Sequence, residues 1–360
     1  MIQKLEALES SIQQKPTAVD LYSGCGSITE ALKRDGFNVV AAVDNNMLAC
    51  KTYRTNHRKV NLYESDIRTV DPLEILHNDL RGQALDLLVV CAPCQPFSSQ
   101  NRLKRDDDDR YDLILQTPRF AKVLRPKTIF FENVPGLGVH TEILKKLRRG
   151  LNKLGYRLSQ PMTVDAADYG VPQRRVRCIL IATLRSPPPT TLPKPLTPEG
   201  KRKTVRDTIY HLPSLKSGEK DPSDFLHQAS NHQAIALERL KHIPKDGGSR
   251  SALPEHLVLR CHRNHNGHSD VYGRMKWDDV APTLTTGCND VSRGRFAHPE
   301  ADRAITPREA ALLQSFPRNY KFEGTKTQII VQIGNAVPVR LMGAFIPTIK
   351  EAIGNVNNLE

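Results

Sequence analysis

The feature that most constrains the fold is an alternation, over the first 186 residues, of short apolar β-rich runs with longer helical stretches. The runs at 17–21, 38–44, 85–91 and 128–132 are apolar enough to be buried on both faces, as strands of a parallel sheet are. Helical stretches at 28–35, 47–55 and 111–124 lie between them. That order predicts an α/β fold with a doubly wound, mostly parallel sheet. A later pair, 156–165 and 176–182, looks like a strand-loop-strand closing the sheet.

The composition then shifts. Residues 186–203 are rich in proline, cannot sit inside a sheet, and end in the basic cluster Lys201-Arg202-Lys203. From there to about 324 the chain is loop-rich and holds nine of the twelve histidines. Afterwards 327–333 looks strand-like and 337–353 has the apolar spacing of a packed helix. The expected organisation is a discontinuous catalytic and cofactor-binding domain, 1–186 plus 325–360, with a smaller domain inserted over 187–324.

A formal charge of +13 points to a polyanionic partner, although a protein that is merely basic would share it. Seven cysteines, odd in number and scattered, do not form a disulfide framework. No run approaches the ~20 apolar residues that span a bilayer, and the N-terminal segment lacks the apolar core of a secretory signal. A cytoplasmic location is the expectation.

Asp20-Leu21-Tyr22-Ser23-Gly24-Cys25-Gly26 carries a strand into a Gly-x-Gly turn, where the backbone can approach a ligand closely. Asp44 ends the next strand, placed to hold a ribose diol, and Asp66-Ile67 follows another extended run, placed for an adenine. Thr29 stands where a dinucleotide fingerprint has its third glycine. The turn therefore favours an adenosyl cofactor without phosphates, S-adenosylmethionine, over NAD or FAD.

Pro93-Cys94 lies just past a buried strand, at the edge where ligands of open α/β sheets bind. A small buried cysteine, or a Cys91–Cys94 redox or metal pair, would look similar. Glu132-Asn133 ends another strand, where a buried carboxylate must either pair or bind a ligand. Gln173-Arg174-Arg175-Val176-Arg177 opens a strand; if that strand is antiparallel, its start shares the edge with Cys94 and Glu132. Alone, the triplet is equally consistent with surface salt bridging.

Taken in order and spacing, these segments together with Gly334-Asn335-Ala336-Val337-Pro338 and the 308–317 stretch resemble the DNA cytosine-5 methyltransferase family, of bacterial restriction-modification or solitary type. The resemblance implies a class I S-adenosylmethionine-dependent fold with an inserted target-recognition domain. It implies Cys94 as nucleophile on cytosine C6, Glu132 at N3 and the amine, and Arg175 and Arg177 at O2 and the sugar-phosphate. Tyr22, Gly24, Gly26, Asp44, Asp66, Ile67, Asn335 and Val337 would hold the cofactor. Residues 96–110 would close on a flipped base.

Departures from the family pattern are Ser27 for a second glycine, Asp44 for glutamate and Ala92 for a bulkier residue. Double-stranded DNA is the implied partner; Lys201, Arg202, Lys203, Arg260, Arg263, Arg274, Lys276, Arg293 and Arg295 suit phosphate and guanine contacts, although for most of them solvated surface is the plainer reading. A restriction endonuclease would act separately, and the chain is expected as a monomer. His256, Cys261, His262, His265 and His268 do not match a closed zinc site, so no metal is expected. The transfer-RNA-directed branch carries a Cys-Phe-Thr element that is not found here.

Overall fold

The computed structural model describes residues 15–93, 112–259 and 270–358. Among these, eight strands form one sheet: β1 (Thr17–Leu21), β2 (Asn38–Asp44), β3 (Asn61–Glu64), β4 (Leu87–Val90), β5 (Thr128–Asn133), β6 (Tyr156–Leu158), β7 (Met162–Asp165) and β8 (Val176–Leu184). Their spatial order is β3-β2-β1-β4-β5-β8-β6, with β7 also on β8. The first five pair in parallel and β8 runs antiparallel to β5. β6 and β7 share one edge of β8 and are interrupted by Ser159-Gln160-Pro161, because proline has no N–H to give the ladder. Ser159 patches the gap: its N–H donates to Ile181 O at 2.9 Å and its Oγ accepts from Ile181 N at 3.0 Å.

Helices cover both faces, each burying residues at helical spacing. In Ser27–Arg34 those are Ile28, Ala31 and Leu32, and the C-terminal helix Val339–Asn357 packs on it and on β5 and β8. One core joins Ala18, Val89, Phe130 and Ile181 of the sheet to Ile333 and Phe345 near the C-terminus. Val205, Met275, Trp277, Leu284 and Phe296 from the region after the Pro-rich segment enter the same core. A separate small cluster, around Leu240, Ile243, Tyr272 and Val291, belongs to that region alone. The opposite sheet face packs Leu88, Val90, Ile129 and Phe131 against Phe120, Leu147 and Leu151.

One expectation needs correction. The 327–333 run is not a strand but part of the helix Lys326–Asn335. Ile329, Ile330 and Ile333 fall on one helical face and are buried, and Thr325 with Gln328 forms a capping box at its start. The run of β-branched residues suggested a strand, but burial on a helical period decided. The segment Lys326–Asn357 also contains a window of mean hydropathy 1.6, long and apolar enough by composition to cross a membrane. That window is 72% buried inside the fold, as a core helix would be.

Asp20 of β1 is fully buried. Its Oδ2 accepts from Thr29 Oγ1 at 2.8 Å, and that hydroxyl also lies 2.8 Å from the Tyr53 hydroxyl. Its Oδ1 has no hydrogen-bond partner. Burial pushes the carboxyl up to about 7, against the bond from Thr29 and with help from the nearby Asp44 charge. A carboxyl whose folded pKa exceeds its unfolded value weakens the fold as pH rises from about 4 to about 7. Asp20→Asn keeps an acceptor for Thr29 and removes that ionisation. Its stability relative to the parent should therefore climb across that window and level off above it, measured by urea denaturation at stepped pH. A flat difference would mean that Asp20 is not the titrating group.

Candidate active site

The connections run outward from β1 to β2 and β3 on one side and through β4 to β5 on the other, leaving a crevice at the strands' carboxyl ends. A cavity of about 450 Å³ opens there. Its wall brings together Tyr22, Gly24, Asp44, Asp66, Ile67, Glu132, Arg175, Arg177, Asn335 and Val337, all singled out in the sequence. Pro93 also lines it, whereas Cys94 and the 96–110 loop lie outside the described residues. A more open hollow of about 550 Å³, near Asn231, Arg239 and Arg293 of the inserted region, gathers none of those ten.

The glycine turn is held from several directions. Gly24 N donates to Asp44 Oδ2 at 2.8 Å, and a Cβ at Gly24 would meet nothing, so the cavity reaches the bare backbone. Gly26 does not line the cavity but stands behind it with φ of 93°. A Cβ there would lie 2.6 Å from the His57 ring and 2.9 Å from Tyr320 Oη, so only glycine fits. His57 Nε2 lies 3.0 Å from Gly26 O, and Tyr320 Oη donates to Cys25 O at 2.5 Å. Burial lowers the His57 pKa to about 4, so the ring is neutral and Nε2–H is the donor at Gly26 O. Tyr22 holds a left-handed φ of 61° and anchors its hydroxyl on Leu113 O at 2.6 Å.

Asp44 Oδ1 also accepts from Asn46 N at 2.8 Å, and burial raises the Asp44 carboxyl against these bonds. Asp66 is gripped by Arg68, with Nε 3.0 Å from Oδ1 and Nη2 2.7 Å from Oδ2, which lowers its pKa.

At the other wall the antiparallel register sets Glu132 opposite Ile179 and Asn133 opposite Cys178, so Arg177 extends past the end of β5. Arg177 Nε meets Glu132 Oε1 at 2.8 Å, both side chains being about nine-tenths buried. The contact is an ion pair without hydrogen-bond alignment, which leaves Oε1 capacity for another donor. Asn133 Nδ2 donates to Ala92 O at 3.0 Å and ties β5 to the segment leading to Pro93.

Arg175 is tied to the main chain as well. It lines the cavity, but Nη1 donates to Leu284 O at 3.1 Å and Nη2 to Gly334 O at 3.0 Å and Ala336 O at 3.2 Å. Among the basic residues expected to meet DNA, Arg274 is overturned. It is wholly buried and donates to the carbonyls of Leu240, Ile243, His298 and Ala301, holding the inserted region together. Arg295 Nη1 likewise donates to the carbonyls of Gly247, Gly248 and Arg274, and Arg202 pairs with Asp168 at 2.6 Å.

Gln332 was missed. It lines the cavity, and its buried Oε1 has no hydrogen-bond partner. On a strand, positions 332 and 335 point to opposite faces; on the helix they share one. The spacing Gln332-x-x-Asn335 was the available signal.

A family model described as C-5 cytosine-specific DNA methylase matches residues 17–351. The chain is similar to the Type II methylase M.HgiDII of Herpetosiphon aurantiacus, 40% identical over 346 residues covering 92% of this chain and 94% of that one. It is also similar to the Type II methyltransferase M1.HphI of Haemophilus parahaemolyticus, 32% identical with 96% and 88% covered. Among solved structures, the S. pombe Dnmt2 methyltransferase aligns with TM-score 0.66 at 20% identity, covering 94% of this chain and 100% of that one. Spodoptera frugiperda DNMT2 aligns with TM-score 0.64 at 19% identity, covering 93% and 100%. At those identities the structures speak to the fold alone, the class I methyltransferase fold.

Removing one member of a buried ion pair leaves the other charge uncompensated. Arg177→Ala should destabilise the fold by about 3–5 kcal/mol, and adding Glu132→Gln should recover much of it. Denaturation of the two single variants and the double variant measures the coupling. Additive losses would mean that the pair is too hydrated to matter.

Proposed function

The chain belongs to the C-5 cytosine-specific DNA methylase family and is a DNA (cytosine-5) methyltransferase, and on that premise we propose how it acts. The donor is S-adenosylmethionine, the substrate a cytosine flipped out of duplex DNA, and the reaction passes through a transient Cys94–C6 bond. The observation that carries this reading is the Glu132–Arg177 pair in one cavity with Asp44, Asn335 and Pro93, the residue before Cys94.

The cavity suits the donor. Asp44 offers a carboxylate for a ribose diol, Gly24 leaves room against the backbone, and Gln332 Oε1 is a buried acceptor with nothing bound. Tyr22, Asp66 and Ile67 line the side proposed for the adenine, and Asn335 and Val337 the methionine side. When bound, the donor supplies an electrophilic methyl on a sulfonium.

Cytosine C5 is a weak nucleophile. Attack of the Cys94 thiolate on C6 forms the S–C6 bond and pushes the ring's π electrons toward C5. Glu132, held by Arg177, meets N3 and the exocyclic amine and stabilises the ring as it takes up a proton. Arg177 faces O2, and its charge favours the thiolate. Once C5 is methylated, loss of its proton and expulsion of the thiolate restore the ring. Base flipping, closed over by 96–110, exposes C6 to the thiol. The inserted region, 187–324, reads the DNA, with Arg293 and Lys276 among the residues facing it. The chain acts as a monomer in a bacterial cytoplasm, in a restriction-modification setting beside a separately acting endonuclease.

DNA carrying 5-fluorocytosine at the target should trap a denaturation-resistant adduct when the cofactor is present, because the C5 fluorine cannot leave as a proton does. Cys94→Ser should abolish trapping and turnover while leaving DNA binding largely intact. Glu132→Gln should lower turnover by about 100-fold or more. A trapped peptide carrying Cys91, or full activity in Cys94→Ser, would overturn the mechanism. Asp44→Ala should weaken S-adenosylmethionine by about 1–3 kcal/mol by calorimetry, since it also frees the Gly24 and Asn46 amides. Methylation of transfer RNA in preference to duplex DNA would overturn the substrate.

A further inference from the structure

The segment Pro172–Arg177 lies between two others. On one side, Arg174 N donates to Ala281 O at 2.8 Å, Ala281 N to Pro172 O at 3.0 Å, Leu284 N to Gln173 Oε1 at 2.9 Å and Thr283 Oγ1 to Arg174 O at 2.7 Å. These bonds seat the 281–286 loop of the inserted region. On the other side is the carboxyl end of the helix Lys326–Asn335, where Ala336 N serves the carbonyls of Gln332 and Ile333 and no further turn supplies amides to those beyond.

Two side chains cap that end. Arg175 Nη2 donates to the carbonyls of Gly334 and Ala336, and Gln314 Nε2 donates to those of Ile333 and Ala336, both at 2.8 Å. Gln173 Nε2 closes the network on Gln314 Oε1 at 2.5 Å. The negative end of the helix dipole favours the guanidinium there. Gly334 completes the seal: a Cβ would lie 2.6 Å from Thr285 C, Thr285 O and Thr286 N, so the loop backbone rests directly on the helix.

We propose that Arg175 is a positioning residue rather than a ligand of the base. By capping the helix it fixes Asn335 and Val337 in the cofactor wall, and by holding Leu284 O it braces the 281–286 loop against the helix behind that wall. The proposal rests on the reading that this cavity binds S-adenosylmethionine. Lysine keeps the charge but cannot reach three carbonyls from one planar fork.

The test is binding of S-adenosylmethionine to the full chain by calorimetry, with steady-state kinetics on duplex DNA, for the parent, Arg175→Lys, Gln314→Glu, Gly334→Ala and Asp44→Ala. The first three variants should each weaken cofactor binding about tenfold or more. They should raise KM for the cofactor, with kcat at saturating cofactor near the parent value. A drop in kcat at saturating cofactor with unchanged affinity in Arg175→Lys would make it a base ligand and overturn the proposal. If Asp44→Ala weakens binding and the three clamp variants do not, the clamp fails while the cofactor site stands. If Asp44→Ala also has no effect, the cofactor-site reading falls first. Should Arg175→Lys not fold, Gln314→Glu and Gly334→Ala reach the same helix end and decide alone.

Discussion

Everything at the active edge depends on the reversal of β8. A nine-residue strand is about 30 Å long. Had β8 run parallel to its neighbours, its first residues would sit at the far edge of the sheet, with no route to the carboxyl end of β5. Running backwards, it delivers Arg175 and Arg177 to the cavity in the same stroke that pairs Glu132 with Ile179. The broken β6–β7 edge stabilises this strand along its length, and the Ser159 patch preserves the ladder where Pro161 would have opened it.

Neighbouring strand ends then solve the problem of a buried acid in opposite ways. Glu132 has a guanidinium against it and stands as one half of an ion pair. Asp20, two strands away, has only a hydroxyl, and burial drives its carboxyl toward the neutral form. Between them Cys91 follows β4. Burial, with the Glu132 carboxylate nearby, raises its thiol well above the usual range. A thiol kept protonated is a poor nucleophile. The electrostatics of the edge thus argue against Cys91 as the reactive member of the Cys91–Cys94 pair, on grounds independent of the motif.

The parallel half of the sheet was legible because its strands are buried on both faces and separated by glycine turns: β1, β2 and β5 lie within a residue of where their apolar runs end. Part of the cavity wall was legible for the same reason, since Asp44, Pro93 and Glu132 follow or end strands that meet at the sheet's edge, whereas Asn335 and Val337 were placed there only by the family resemblance. Two kinds of information were not. Local propensity misled at 327–333, where isoleucine and valine favour a strand but Ile329, Ile330 and Ile333 bury on a helical period, and Gln332 was lost with that choice. Arginine was the other difficulty, because composition cannot tell a guanidinium bound for phosphate from one bound for carbonyls. Arg274 is an internal tie, and Arg175 donates to carbonyls far away in sequence even as it lines the cavity.

Those internal ties share a chemical trait that bears on how such a molecule can be built. Arg175, Gln173 and Gln314 grip the 281–286 loop and the helix end almost wholly through main-chain atoms: the carbonyls of Leu284, Ile333, Gly334 and Ala336, and the Leu284 amide. A main-chain carbonyl is offered by any residue. What the clamp requires of the inserted region is therefore a backbone path, which Gly334 on the helix Lys326–Asn335 lets come close. The side chains of that region remain available to face outward, as Arg293 does at two-thirds side-chain exposure. A region seated on the sheet in this way can change its outward residues while its seat stays the same.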